Sequence, residues 1–254
     1  MKRILAISYY TFRQNVRNRV YYVLFIFTLI MVFVSMLLSV LGGEQPMRIL
    51  LDFGLVSIEF FALLIAIFTS VTTITEEVES KTIYLILIKP IPRWYYILGR
   101  YTGILLSVWT SMLLMYAFHF LMLTLQGWHP GPDYLYAVIS SSLKIAIISA
   151  VAIFFSVFST STASSLVFSV FIWIAGHFST EINFLTGKME FLPAKYSVKI
   201  LYYVIPNLQY FNWRDFLSTG VSFFRWMPVA VVYAVAYIGV FMCLSSVLFE
   251  KKEV

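Results

Sequence analysis

The chain has 254 residues, of which 61% are hydrophobic and only 12% charged, with a formal net charge of +6. A soluble domain carries about 25% charged residues, so the composition excludes an ordinary soluble enzyme or binding domain. Uncharged apolar runs of about twenty residues recur, which is typical of membrane-spanning helices. These runs do not alternate with polar residues, which excludes a spanning barrel. The composition therefore predicts an all-α membrane protein with a single transmembrane domain over residues 1–254.

Residues 1–19 predict an amphipathic helix that lies on the membrane surface. Four apolar residues recur there at helical spacing: Leu5, Tyr9, Phe12 and Val16. The basic residues fall largely elsewhere on the helical wheel. Such a helix is either a basic anchor or a docking surface for a cytoplasmic partner, and both interpretations stay open.

Six spans are predicted in chain order. They cover about residues 20–41, 53–74, 101–124, 138–158, 163–180 and 227–248. The third helix is expected to begin earlier, at Trp94. The long segment 181–226 lies between the last two spans, and its aromatic stretches 195–203 and 207–216 predict short helices at the outer interface.

Lysine and arginine predict the orientation of these spans. With the N-terminus inside, the inner segments hold ten Lys and Arg in about 50 residues, and the outer segments hold six in about 70. The bias favours a multi-pass protein of the cytoplasmic (inner) cell membrane with both termini in the cytoplasm.

The inner segment 75–93 is unusually charged and opens with three glutamates: Glu76, Glu77 and Glu79. The C-terminus of a helix disfavours carboxylates. We therefore predict that span two stops and that a new short helix begins near Thr75, with Thr72, Thr73 or Thr75 as its cap. In that helix Glu77 and Lys81 would form an i,i+4 ion pair.

Two prolines follow this predicted helix. Pro90 ends it, because the residue before a proline avoids the helical region. Pro92 restarts the chain and, with Arg93, would set the angle to span three. The segment then forms a rigid lever, parallel to the membrane, that can transmit force from a soluble subunit. An ordinary interfacial loop with solvated glutamates explains the same residues and stays open.

The stretch TEEVESKTIYLILIKPIPRWYYILGRYTG resembles the signature loop of ABC-2 type permeases, the six-span membrane subunits of ABC transporters. Ser80 and Lys81 stand where glycine is common in that loop, which predicts a less tight turn. A second stretch, IPNLQYFN at residues 205–212, resembles a Pro-Asn-x-x-x-Phe-Asn segment of one branch of the family.

The resemblance implies a permease that exports its substrate with energy from a separate ABC ATPase subunit. The aromatic and apolar outer region suits a lipid-like or amphiphilic substrate. ATP and Mg would bind in that subunit, and this chain would hold no cofactor. The resemblance also implies a second permease, as a copy or a homologue, and a coupling helix around residues 76–84 in a coupling loop at residues 75–93. The implied ATPase contacts are Glu76, Glu77, Glu79, Lys81, Thr82 and Tyr84.

The remaining partners follow from the composition and from a missing motif. The sequence has no G-x-x-x-x-G-K-[ST] loop to cradle ATP phosphates, so we expect no catalytic residues and no enzyme activity in this chain. Membrane lipid is the expected partner of its apolar spans, and no nucleic-acid partner is expected.

Four ionisable residues inside spans are candidates for the translocation path: Glu59, His119, Lys144 and His177. At 1.5 Å per residue, Glu59 and Lys144 both lie roughly 10 Å below the outer boundary, with His119 near that depth, so Glu59 and Lys144 could pair. His177 is expected to lie shallower, near Glu181. These residues would form a polar collar in the outer half of the path. Snorkelling of Lys144 and structural hydrogen bonds of the histidines are the alternatives.

Two other function classes are alternatives to a permease. Residues 76–81 weakly resemble the Glu-Glu-x-x-x-Arg pattern of CAAX-type membrane metalloproteases. His119 and His177 lie far from Glu76 along the spans, so metal–ligand distances of about 2.0–2.2 Å cannot be met and no metal site is expected. The second alternative is a channel or a secondary transporter. Secondary transporters often show repeated halves and ionisable residues near the midplane, and the sequence shows neither feature.

Overall fold

The structure is a computed structural model that describes residues 2–41, 46–81, 92–128, 131–159, 161–188, 191–212 and 223–251. All regular structure in these ranges is helical, which confirms the predicted fold class. The helices are α1 Lys2–Val16, α2 Arg19–Leu41, α3 Pro46–Glu79, α4 Arg93–Leu125, α5 Pro132–Phe158, α6 Thr162–His177, α7 Ser179–Lys188, α8 Leu192–Val204 and α9 Phe223–Lys251, with a short 3-10 turn at Leu208–Phe211.

Among the described residues, five helices are long and apolar enough to cross a membrane: α2, α3, α4, α5 and α9. They correspond to five of the six predicted spans. The fifth predicted span differs, because α6 and α7 meet at a 70° bend and reach span length only as a pair. α6 alone is 16 residues long, or about 24 Å, which is shorter than the roughly 30 Å hydrocarbon core.

α3 is the central helix of the bundle and packs against α2, α4, α5 and α6. Its buried face carries small residues, among them Gly54, Ala62 and Ala66, which let neighbouring helices approach closely. In the most apolar stretch of each span, the share of residues buried inside the protein is highest for α5, at 67%. The share is only 22% for α2 and 17% for α9. The outer surface of the bundle is therefore formed largely by α2 and α9.

α1 packs along α4 through a face that its apolar pattern does not predict. Its buried residues are small and polar: Ser8, Thr11 and Asn15. Leu5 and Tyr9, from the predicted apolar stripe, remain 67% and 66% exposed. The two helices lie so close that a Cβ added to Gly103 of α4 would be 2.5 Å from the carbonyl oxygen of Ser8. Leu5 and Tyr9 are thus left free to face lipid, whereas Phe12 and Val16, the other two residues of the stripe, are half-buried.

The prediction that span two stops and a new short helix begins near Thr75 is wrong, because α3 continues without a break to Glu79. The Thr75 hydroxyl donates to the carbonyl oxygen of Val71 one turn earlier, at 2.9 Å, and so belongs to the same helix instead of capping a new one. Lys81 lies past the helix end with φ at 57°. The predicted helical pair between Glu77 and Lys81 is therefore also wrong.

The long segment before the last span contains the predicted short helices in part. α8 covers the predicted helix at 195–203 and packs against α7. The 3-10 turn Leu208–Phe211 covers the first part of the predicted helix at 207–216. Residues 213–216 lie outside the described residues.

Candidate functional site

Four helix ends meet at one end of the bundle: α1, the C-terminal end of α3, the N-terminal end of α4 and the C-terminal end of α9. We call this the α1 end. The opposite end carries α7 and α8 and is called the α8 end. The motif resembling a coupling loop begins on α3 at the α1 end.

Glu77 is buried at the α1 end in a group of polar side chains that we call the Glu77 cluster: Glu77, Tyr96, Arg100, Thr11 and Gln14. Arg100 donates to Oε1 of Glu77, and the Tyr96 hydroxyl donates to Oε2 at 2.6 Å. Arg100 is fully buried and also donates to Thr11 Oγ1 at 2.9 Å and to Gln14 Oε1 at 3.3 Å. The Glu77 carboxylate is therefore neutralised inside the protein.

The Glu77 cluster explains why α3 tolerates a carboxylate in its last turn. A helix C-terminus is partially negative and repels such a group, but the Arg100 guanidinium offsets that repulsion. Tyr96 and Arg100 are four residues apart on α4, so both side chains reach the same face. Breaking a buried ion pair by removing one partner costs about 3–5 kcal/mol. The cluster therefore fixes the ends of α1, α3 and α4 relative to one another.

A second polar link joins the same three helices. The Thr73 hydroxyl of α3 donates to Asn15 Oδ1 of α1 at 3.1 Å, and Asn15 Nδ2 donates to Ser107 Oγ of α4 at 3.4 Å. All three side chains are buried. Buried polar groups need such partners, and here the partners lie on different helices, so the contact reinforces the Glu77 cluster.

The other two motif glutamates point outward. Glu76 and Glu79 are exposed in the last turn of α3, and Glu79 Oε1 accepts a bond from the Thr162 hydroxyl at 3.4 Å. Lys81 is also exposed. The predicted contacts Thr82 and Tyr84 and the predicted turn residue Pro90 lie outside the described residues. The structure thus separates one internal glutamate from two at the surface.

Arg93 joins the start of α4 to the end of α9. Its Nη1 donates to the carbonyl oxygens of Phe249 at 2.8 Å and Glu250 at 2.9 Å. The last carbonyls of a helix have no partner within the helix, and a cation there is favourable. Pro92, the residue before α4, has φ at −54° and ψ at 135°, an extended conformation. Arg93 therefore stabilises the end of the last span.

At the α8 end, Glu59 and Lys144 form the predicted ion pair. Lys144 Nζ donates to Glu59 Oε1 at 2.5 Å, and the Ser141 hydroxyl donates to Oε2 at 3.0 Å. The side chains of Lys144 and Glu59 are 2% and 18% exposed. His177 lies close enough for electrostatic interaction with both. We call these four residues the Glu59 cluster.

Two nitrogen atoms beside the Glu59 cluster carry no hydrogen bond within the described part of the chain: Nδ1 of His177 and Nε1 of Trp173. Both are buried, and the two rings meet edge to face with centroids 5.3 Å apart. Buried polar atoms normally have partners. These two therefore leave hydrogen-bonding capacity next to an ion pair inside a span.

His119 lies apart from the Glu59 cluster in its own packed site. Its ring nitrogens lie 3.2 Å from the Tyr134 hydroxyl and 3.3 Å from the carbonyl oxygen of Leu50. The residue is fully buried, and its ring occupies the space that a side chain at Gly54 would fill. His119 is thus held by structural contacts, and the other three predicted residues come together without it.

The second motif, at residues 205–212, braces the bend between α6 and α7. Gln209 Nε2 donates to the His177 carbonyl oxygen at 2.7 Å and to Glu181 Oε2 at 3.1 Å, which confirms that His177 lies near Glu181. The Asn207 side chain accepts from the Gln209 backbone N–H at 3.0 Å, and the Asn207 backbone N–H donates to the Tyr233 hydroxyl at 2.7 Å. The motif thus ties the bend to α9.

Comparison with known proteins identifies the family. A family model described as ABC-2 family transporter protein matches residues 5–254, almost the whole chain. The chain belongs to the ABC-2 family. It is a multi-pass permease component of an ABC transporter, and its family implies partnership with an ABC ATPase subunit. No individual curated protein matches this ABC-2 permease.

Several residues of the permease's Glu77 cluster were not singled out from the sequence: Tyr96, Thr11 and Gln14. The sequence does contain a signal for them, because Tyr96 and Arg100 are one helical turn apart, as are Gly99 and Gly103. Two small residues at that spacing indicate close helix contact. A buried arginine beside such a contact would have pointed to a partner carboxylate.

Within the described residues, no three His, Cys, Asp or Glu side chains come together as metal ligands. Glu76 lies at the α1 end and His177 at the α8 end. A metalloprotease would need such residues close enough to bind one metal ion.

Proposed function

We propose that the permease is driven by a separate ABC ATPase subunit that docks at the α1 end, on the loop between α3 and α4. The observation that carries the proposal is the sorting of the motif glutamates. Glu76 and Glu79 are exposed at the end of α3, whereas Glu77 is paired internally with Arg100. Two exposed carboxylates beside the loop suit a cationic surface or a helix N-terminus on the partner. ATP and Mg bind in that partner.

The contacts at the α1 end give the docked subunit a means of moving the bundle. The Glu77 cluster joins α3 to α4 and α1, and Arg93 joins α4 to α9. A displacement of the loop at the end of α3 therefore acts on four helices together. Glu77 and Arg100 transmit that displacement, and Glu76 and Glu79 receive it.

The α1 end faces the cytoplasm in this proposal, with the permease in the inner membrane and both termini inside. The excess of lysine and arginine at this end supports that orientation. A second permease subunit completes the transporter. The weakly buried faces of α2 and α9 support a further contact of that kind.

The proposed cargo is an amphiphilic molecule that moves outward, and the Glu59 cluster is its polar contact. Ionisable residues inside spans are costly to bury in a membrane, and they commonly mark functional sites. His177 Nδ1 and Trp173 Nε1 supply hydrogen-bonding capacity that other described residues do not use. The many exposed aromatic and aliphatic side chains of α8 and its surroundings support an apolar component in the cargo.

The test is a binding measurement with the ABC ATPase subunit and the purified permease in nanodiscs. Glu76→Lys combined with Glu79→Lys is expected to weaken association at least tenfold, because both exposed carboxylates would become cations. Glu250→Lys is the matched control, since Glu250 is exposed at the α1 end but lies on α9. Unchanged association of the double variant, or equal weakening by the control, contradicts the proposed docking surface.

A further inference from the structure

An apolar groove of about 470 Å³ runs between α5, α6 and α9. It is bounded towards the α8 end by the last residues of α8 and the segment that follows them. Its lining residues include Phe154, Ile172, Tyr203, Pro206, Tyr237 and Leu244. The groove therefore extends along membrane-spanning helices and ends beneath α8.

The volume and the apolar lining of the groove fit a hydrocarbon chain. Its volume lies within the roughly 300–1,000 Å³ typical of ligand sites. Two tyrosines line it, and the Tyr237 hydroxyl already donates to the Tyr203 carbonyl oxygen at 3.2 Å. Apolar cavities do not hold water stably, and the helices that form this groove cross hydrocarbon. A lipid acyl chain is the molecule that matches both the lining and the surroundings.

The helix whose last residues line the groove is basic. Lys199 and Lys195 lie one and two helical turns before Tyr203 on α8, on the same face as this lining residue. α8 contains no acidic residue between Leu192 and Val204. A basic face beside an apolar surface is the pattern by which interfacial helices bind anionic lipid.

We infer that the permease binds one anionic phospholipid in this groove, with an acyl chain between α5, α6 and α9 and the phosphate at Lys195 and Lys199. The lipid comes from the leaflet on the α8 side of the membrane. This site is distinct from the Glu59 cluster, and the inference holds whether or not an ATPase docks at the α1 end.

The headgroup part is tested on the purified full-length chain. The chain is incubated with phosphatidylglycerol or phosphatidylcholine, and the lipid retained per chain is counted by native mass spectrometry. We expect about one phosphatidylglycerol per chain and at least fivefold less after Lys195→Ala with Lys199→Ala. Lys188→Ala, on α7 with its ammonium over the Phe184 ring, is the control and is expected to change nothing. Equal retention of both lipids, or no loss in the double variant, overturns the headgroup assignment.

The acyl-chain part is tested by filling the groove. Ala236 is exposed and lines the groove, so Ala236→Phe is expected to reduce retained lipid at least fivefold. Val235→Phe is the matched control, because Val235 is also exposed on α9 but does not line the groove. A phospholipid with a diazirine near the chain terminus should crosslink to peptides of α5, α6 or α9. If Ala236→Phe leaves lipid retention unchanged but disrupts a dimer, the groove is occupied by a second copy, and the inference is wrong.

Discussion

α3 carries one buried and one partly buried carboxylate, Glu77 and Glu59, that are held in different ways. Glu77 accepts from Arg100 and Tyr96, and Arg100 reaches two further acceptors on α1, so three helices share one polar group. Glu59 pairs with Lys144, remains 18% exposed and lies near two nitrogens that have no hydrogen-bond partner among the described residues. An ionisable residue in a span can thus be a structural joint or a candidate contact. Unused hydrogen-bonding capacity is present at both sites, since Arg100 Nε also has no hydrogen-bond partner among the described residues. The number of helices joined and the access to solvent distinguish the two.

The largest effect is expected when the structural joint is broken. Arg100→Met leaves Glu77 buried with the Tyr96 hydroxyl as its one donor among the described residues. Loss of one partner of a buried ion pair should cost about 3–5 kcal/mol of unfolding free energy. Thermal unfolding of the purified chain in detergent, followed by size-exclusion chromatography, measures this loss.

The matched control replaces both charges. Glu77→Met combined with Arg100→Met should recover most of the lost stability, because a buried pair replaced by apolar side chains is often neutral. If the double variant were as unstable as the single one, the attraction between the two charges would exceed the free-energy cost of burying them. A stable single variant would contradict the joint itself.

The Glu59 cluster should respond less. Lys144→Met leaves Glu59 with the Ser141 hydroxyl and partial access to solvent. The expected loss is about 1.5–3 kcal/mol, the range for a hydrogen bond to a charged group. Glu59→Lys with Lys144→Glu should restore both thermal stability and transport relative to either single reversal. The absence of any such rescue would contradict the pairing.

The contact between α1 and α4 gives the next largest effect. Gly103→Ala introduces a methyl group 2.5 Å from the Ser8 carbonyl oxygen, and overpacking of this kind costs about 1–3 kcal/mol. Gly239→Ala is the control, since an added Cβ there meets nothing within 4 Å. Because alanine favours helix over glycine by about 1 kcal/mol, the control should be neutral or stabilising in the same melting assay. Equal melting temperatures for the two variants would contradict the close contact.

The smallest effect is expected at Arg93. Arg93→Ala removes a cation from the last carbonyls of α9, which is typically worth about 0.3–1 kcal/mol. Arg93→Lys keeps the charge and should retain much of that contribution. Hydrogen exchange of the last turn of α9 measures the difference, and protection unchanged by the alanine variant would contradict this contact.

The sequence predicted five of the six spans correctly because continuous apolar runs have few alternatives in lipid. It also predicted the Glu59–Lys144 pair, since depth along two spans is simple to count. The start of the coupling helix was wrong because a local rule against carboxylates at a helix end was overridden by Arg100, 23 positions away from Glu77. The buried face of α1 was missed for a related reason. In a membrane, apolar side chains can face lipid, and small or polar residues pack between helices.

The most direct test of the central claim is a site-specific crosslink between the permease and its ABC ATPase subunit. Cys243 is the only cysteine in the sequence, so Cys243→Ser provides a cysteine-free background. In that background, Ser80→Cys places a thiol at the exposed end of α3, and Gly187→Cys places one at the α8 end. A short photoactivated crosslinker on the Ser80→Cys variant should capture the ATPase, and the Gly187→Cys variant should not. Capture from the α8 end alone, or no capture from Ser80→Cys in a complex that still hydrolyses ATP, would contradict docking at the α1 end.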